Sequence, residues 1–120
     1  MQADELAAVA ITAIEELKGL DIATVDVSKQ TSITDKLIIA SATSSRQLAA
    51  LANHVYEKLK ATGAAPHNPE GSHDSGWILV DGGDVIVHLM LPETRDYYNI
   101  EKLWQEGLPK SRITAPEVNL

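Results

Sequence analysis

Five residues between positions 73 and 88 are of types that bind metals or move protons: His73, Asp74, Asp81, Asp84 and His88. Asp81 and Asp84 flank the pair Gly82-Gly83, and carboxylates opposed there would draw a cation or water. His88 lies about four residues along a strand from them, too far to share a coordination shell without rearrangement. Two aspartates on a glycine turn are also ordinary turn chemistry, because Asp favours turn starts. His73 and Asp74 fall in a polar loop, where solvation explains them. His54 and Tyr56 read as part of a solvated or half-buried helix face, and His67 carries no signal of its own. The chain has no Gly-x-Ser-x-Gly elbow and no glycine-rich phosphate loop. It has no cysteine, which excludes disulfides, thiol nucleophiles and thiolate metal sites together. The expectation is a protein without catalytic residues, cofactor or metal.

The stretch Gly76 to Met90, GWILVDGGDVIVHLM, concentrates the remaining unusual residues. A two-residue turn at Gly82-Gly83 would set Trp77 opposite His88 and Asp81 opposite Asp84. Alternation across the pleat then sorts the hairpin into two faces. One is wholly aliphatic: Ile78, Val80, Val85, Val87, Leu89 and Leu91. The other carries Trp77, Leu79, Asp81, Asp84, Ile86, His88 and Met90. This second face has the makeup of an interface, with aromatic and methionine anchors and charges towards the rim. It is equally the makeup of a cross-strand Trp–His pair packed under a further helix. Arg95, Tyr97, Tyr98 and Trp104 follow closely. They would extend a contact patch, or Tyr98 and Trp104 would pin the last helix to the sheet.

The elements that must position these residues are legible from periodicity. Residues 4–18 place Leu6, Val9, Ala10, Ala13, Ile14 and Leu17 on one helical stripe, with Gly19 as a stop. Residues 21–28 and 35–43 read as strands, the second interior because Leu37 to Ala40 are apolar on both faces. A helix follows from Ser44 or Ser45, with Ser44-x-x-Gln47 as a capping box, a stripe of Leu48, Leu51, Ala52, Val55 and Leu59, and Gly63 as its close. Residues 64–75 read as loop with a short edge strand near His67. Residues 92–98 read as a turn, and a short helix starts near Asn99. The chain thus predicts an α/β fold, a small mixed β-sheet packed with helices. It divides into one domain over residues 1–104 and a weakly held tail over 105–120.

Composition narrows the function classes. At 120 residues and 44% hydrophobic, the chain is long enough for one core. Ten basic against 17 acidic residues give a net charge of −7. That offers no basic stripe for phosphate, so direct DNA binding is not expected. An acidic protein that meets a ribonucleoprotein should meet a basic protein component of it. No apolar run approaches the roughly 18 residues of a membrane span. The acidic N-terminal stretch lacks the base of a signal peptide or a serine-rich leader, so a cytoplasmic, bacterial protein is expected.

Taken in order, Asp35, Ser44-Ser45-Arg46-Gln47, Glu70-Gly71, Trp77, Asp81, Val87-His88, Arg95, Tyr98 and Leu103-Trp104 form a combined pattern over residues 6–104. It resembles the ribosomal silencing factor family, also called Iojap-like. Two positions depart from the family's habit: Gly82 and Leu37 stand where aromatics are frequent. The resemblance implies a nucleotidyltransferase-like fold lacking the transferase motifs. It implies a translational repressor that binds the large ribosomal subunit through its ribosomal protein number fourteen. Such a protein blocks joining of the small subunit when nutrients are scarce, and is a homodimer when free. On this reading the partner-binding residues are Trp77, Asp81, Ile86, His88, Met90, Arg95 and Tyr98. The competing reading is a nucleotidyltransferase-type enzyme acting on a nucleotide. For it, SATSSRQ begins a helix after a strand, where a phosphate could bind, although the glycine is missing.

Overall fold

The computed structural model describes residues 2–105; the backbone of His73 is included, but the side chains of His73 and Gln105 lie outside the description. Residues 106–120, which make up most of the expected tail, lie outside the described residues. The elements run α1 (Ala3–Glu16), β1 (Leu20–Asp26), β2 (Lys36–Ser41), α2 (Ser45–Ala61), β3 (Glu70–Ser72), β4 (Trp77–Asp81), β5 (Val85–Met90), α3 (Pro92–Tyr98) and α4 (Ile100–Gln105). A 3-10 turn over His73–Ser75 joins β3 to β4.

The five strands form one mixed sheet in the order β1-β2-β5-β4-β3. β2 and β5 pair in parallel, and the other neighbours are antiparallel. The parallel pair is interior, and both strands are almost wholly buried. A strand covered on both faces has no solvent side, so its sequence shows an unbroken apolar run instead of alternation. This is why KLIIAS and VIVHLM carry so little polar residue.

One face of the sheet seats α1 and α2. Leu6, Ala10 and Ile14 of α1 and Leu48, Leu51, Val55 and Leu59 of α2 close over Ile38, Ile78, Val80, Val85, Val87 and Leu89. The junction between the two helices is polar and specific. Ser44 Oγ accepts from Gln47 N at 3.1 Å, as a capping serine should. The Gln47 carboxamide oxygen accepts from Thr43 N at 2.6 Å, one residue upstream of the usual capping-box partner. Its amide then donates to the carbonyls of Leu17 and Lys18 at 3.0 and 3.2 Å, tying the start of α2 to the end of α1. Lys18, with φ 64°, takes the left-handed position expected of Gly19.

Three local expectations are corrected. The edge strand lies at Glu70–Ser72 rather than near His67, whose backbone N–H instead bonds the Asp81 carbonyl at 3.0 Å. Residues 92–98 are a helix, not a turn. Pro92 is its first residue, where a missing N–H costs nothing and a fixed φ favours the helix. The hairpin loop is Gly83-Asp84, with Gly82 N bonded to Val85 O at 2.8 Å, so Trp77 faces Met90 and Leu79 faces His88. Only Gly83 of the glycine pair has a positive φ, 87°. The register is therefore displaced by two residues from a Gly82-Gly83 turn. A slip of two leaves every side chain on its own face, because the pleat has period two. The two-faced sorting holds, and the cross-strand pairs do not.

Candidate functional site

The mixed face of the hairpin is not open. Trp77, Ile86, His88 and Met90 are all buried, His88 and Met90 completely. Their cover is the last two described helices of the same chain, α3 and α4. Ile100 of α4 packs with Ile39, Trp77 and Met90, while Trp104 packs with Val27, Leu37, Leu79 and Ile86. Tyr98 lies against Trp77 with ring centroids 4.9 Å apart. The expectation of an exposed indole–imidazole–thioether patch is thus corrected. An apolar sheet face of this size stays dry only if something covers it, and α4 supplies two large side chains for the purpose.

Within this layer, the Trp77 indole Nε1–H donates to His88 Nδ1 at 3.0 Å. The rings are tilted at 48°, with centroids 5.6 Å apart. The two residues are diagonal neighbours across β4 and β5, a spacing that long side chains can bridge. Since Nδ1 accepts, the proton of the neutral ring sits on Nε2. That Nε2–H has no hydrogen-bond partner among the described residues, and the same holds for Trp104 Nε1. Each such buried donor costs about 1–3 kcal/mol. Burial also pushes the His88 pKa down from 6.5 to about 3, so the ring is neutral at physiological pH.

Arg95 is not a free surface cation. Its Nε donates to Glu101 Oε1 at 2.8 Å and its Nη1 to Ser41 Oγ at 2.9 Å. The guanidinium joins α3, α4 and the end of β2, with 13% of its side chain exposed. Sequence reading did not mark Glu101 or Ser41. The signal for Glu101 was its place on the first turn of the helix beginning near Asn99, within reach of a preceding arginine. Tyr98 is half-buried, and Tyr97 meets it edge-on at 5.0 Å while remaining 82% exposed. The three rings of Trp77, Tyr98 and Tyr97 therefore run from the sheet interior to the surface. Asp81, at the other end of β4, lies about 13 Å along the strand from Trp77. Its Oδ1 accepts from Gly83 N at 2.8 Å, which is turn chemistry. The structure thus brings together Trp77, His88, Met90, Arg95 and Tyr98, and leaves Asp81 apart.

Asp81 is opposite Ile86 and Asp84 belongs to the loop, so the two carboxylates are not a cross-strand pair. Among the described residues no group of three His, Cys, Asp or Glu side chains could hold a metal ion. At the start of α2, the Gln47 N–H and the carboxamide oxygen are already engaged in capping. His54, on α2, has its Nε2 2.8 Å from Glu16 Oε1 and clasps α1. No helix among the described residues is long and apolar enough to cross a membrane.

Comparison with known proteins places this geometry. The family model described as ribosomal silencing factor during starvation (RsfS) matches residues 1–119. A ribosomal silencing factor RsfS from Chromobacterium violaceum is 46% identical over 96% of this chain and 94% of its own length. The mouse protein named mitochondrial assembly of ribosomal large subunit protein 1 is 35% identical over 78% of this chain and 42% of its own length. A crystal structure of a Chromobacterium violaceum protein superposes with a TM-score of 0.83 at 47% identity, covering 98% of both chains. A match along essentially the whole chain, on a fold shared with a close relative, leaves one conclusion: the chain belongs to the ribosomal silencing factor family.

Proposed function

We propose that this chain is a non-catalytic translational repressor of the bacterial cytoplasm. It binds the large ribosomal subunit through ribosomal protein number fourteen and sterically prevents the small subunit from joining, most of all when nutrients are limiting. The observation that carries this reading is the family match over residues 1–119. The mouse relative, whose name refers to the large ribosomal subunit, points to the same subunit.

The geometry supports a contact centred on α3. Tyr98 rests on the buried Trp77, and a rigid aromatic with a polar tip is what a binding hot spot uses. Arg95 holds α3 on the sheet through Ser41 and Glu101. Ile86, His88 and Met90 contribute from beneath as the packed floor of this surface. Asp81, at the far rim, contributes charge. The net charge of −7 favours encounter with a basic ribosomal protein. A steric mechanism requires only affinity and bulk, and no catalytic group. The free chain would be a homodimer, which light scattering reads directly.

Gradient sedimentation tests the central claim. The protein should travel with free large subunits and be absent from assembled ribosomes. Equal migration with assembled ribosomes, or none with large subunits, would reject it.

A further inference from the structure

α3 is the centre of the proposed contact, yet a buried apolar stripe does not hold it in place. None of its seven residues, Pro92–Tyr98, is buried. Its direction is therefore set by the few groups that tie it to the sheet. At its start, the Leu91 N–H bonds the Gly76 carbonyl at 2.9 Å, and Thr94 lies against Gly76 where no Cβ would fit. At its end, Tyr98 lies on Trp77 with ring centroids 4.9 Å apart. Between these, Arg95 reaches back to β2, and its Nη1 donates to Ser41 Oγ at 2.9 Å.

Ser41 stands out for its place. It ends an interior strand whose run from Leu37 to Ala40 is apolar and fully buried, and it is itself only 3% exposed. Its ladder partners are Leu20 of β1 and Met90 of β5. A buried hydroxyl costs stability unless it is hydrogen-bonded, and here a guanidinium from a helix 54 residues on supplies the bond. The same guanidinium donates from Nε to Glu101 Oε1 at 2.8 Å, so its planar fork is fixed at two points. A lysine, with one ammonium on a flexible stem, cannot reproduce that geometry.

We propose that Ser41 is a positioning residue for the ribosome contact: its hydroxyl fixes the Arg95 fork, and the fork fixes the angle at which α3 presents Tyr97 and Tyr98. The inference rests on the binding reading above. It makes Arg95 a strut inside the protein rather than a cation offered to the partner. Ser41 is too deeply buried to touch a partner docked on α3. An effect of its hydroxyl on affinity therefore travels through the group bonded to it. Holding a contact helix in its bound direction before the partner arrives lowers the ordering cost of association.

Affinity for isolated large subunits tests this, measured on the full chain with Ser41→Ala, with Arg95→Lys and with both, beside urea denaturation of the same proteins. Ser41→Ala removes the acceptor, and Arg95→Lys keeps the charge but loses the fork. Each should weaken binding about fivefold or more, and the double variant should bind about as the weaker single does, because both break one link. A Ser41→Ala protein that loses stability but binds like wild type has a serine that serves the fold alone; that result overturns the proposal and leaves the binding reading standing. Wild-type affinity for Arg95→Lys also overturns it, since the charge would then suffice. Losses that multiply in the double variant put Ser41 on a separate route and overturn it too. Failure of the wild-type chain to bind large subunits at all overturns the binding reading and the proposal with it.

Discussion

The indole N–H of Trp77 reaches His88 Nδ1 at 3.0 Å even though Trp77 is paired across the ladder with Met90 and His88 with Leu79. The bond is a diagonal one in a fully buried layer, and both partners depend on it. Phenylalanine at 77 would strand Nδ1, and leucine at 88 would strand the indole N–H.

Each single variant, Trp77→Phe and His88→Leu, should therefore destabilise by about 1–3 kcal/mol. The double variant should cost less than the sum, with a coupling of about 0.5–1.5 kcal/mol. Urea denaturation of the four proteins gives the cycle. Strict additivity would mean that the bond contributes nothing.

Acid should weaken the fold through the same ring. Its pKa is lowered from 6.5 to about 3 by burial. Below about pH 6.5 the unfolded chain takes up a proton at His88 that the native chain refuses until about pH 3. Stability therefore falls as pH drops through that window, at up to about 1.4 kcal/mol per unit. Glu16, held low by its hydrogen bond from His54, and Asp26, held low by Ser28, lose stability in the same direction at lower pH. They are present in every variant, so His88→Leu should flatten the slope between pH 6 and 4 relative to wild type, about as the single-proton linkage requires. Parallel pH profiles for the two proteins would show that His88 is not the group refusing the proton.

Gly76 should not tolerate a side chain. It sits at φ 77°, and a Cβ there would collide with Thr94 Oγ1 of α3. Gly76→Ala is expected to cost about 1–3 kcal/mol from backbone strain and the clash together. In a Thr94→Ala background the clash disappears and the strain remains, so the loss should shrink without vanishing. Thermal melts of the two variants against their parents measure this.

Binding should be most sensitive at Tyr98. Tyr98→Ala is predicted to weaken affinity for large subunits by about 2 kcal/mol or more while the fold persists, because the half-buried ring lies between Trp77 and the exposed Tyr97 and holds the stack together. Trp77→Ala would also weaken binding, but it hollows a buried layer and should cost about 3–5 kcal/mol of stability as well. A pull-down in which folded Tyr98→Ala retains wild-type affinity would remove α3 from the contact.

The two long helices and the aliphatic hairpin face were legible from residue spacing, because each bears a single-period pattern over many residues, and the interior strand β2 was legible from its unbroken apolar run. The sorting of Trp77, Ile86, His88 and Met90 to one face was legible for the same reason, and it survived a misplaced turn. α3 was missed because Pro92 signals a turn and a helix start alike, and seven residues are too few for a periodic stripe to arbitrate. Whether the mixed face is interface or interior could not be read from composition. The residues that anchor an interface, large aromatics and Met, are also ones that fill a core.

By itself, then, the sequence determined the longer elements of this protein: where the two long helices and the interior strands run, and which side of the hairpin each residue takes. Those follow from backbone sterics and the alternation of apolar residues, which act between neighbours in the chain. Only the tertiary structure decided that α4 folds back over Trp77 and His88, that Arg95 is committed to Ser41 and Glu101, and that one imidazole N–H is left without an acceptor. Those depend on where α4 comes to rest on a sheet built from earlier segments, and short-range pattern carries no information about that distance.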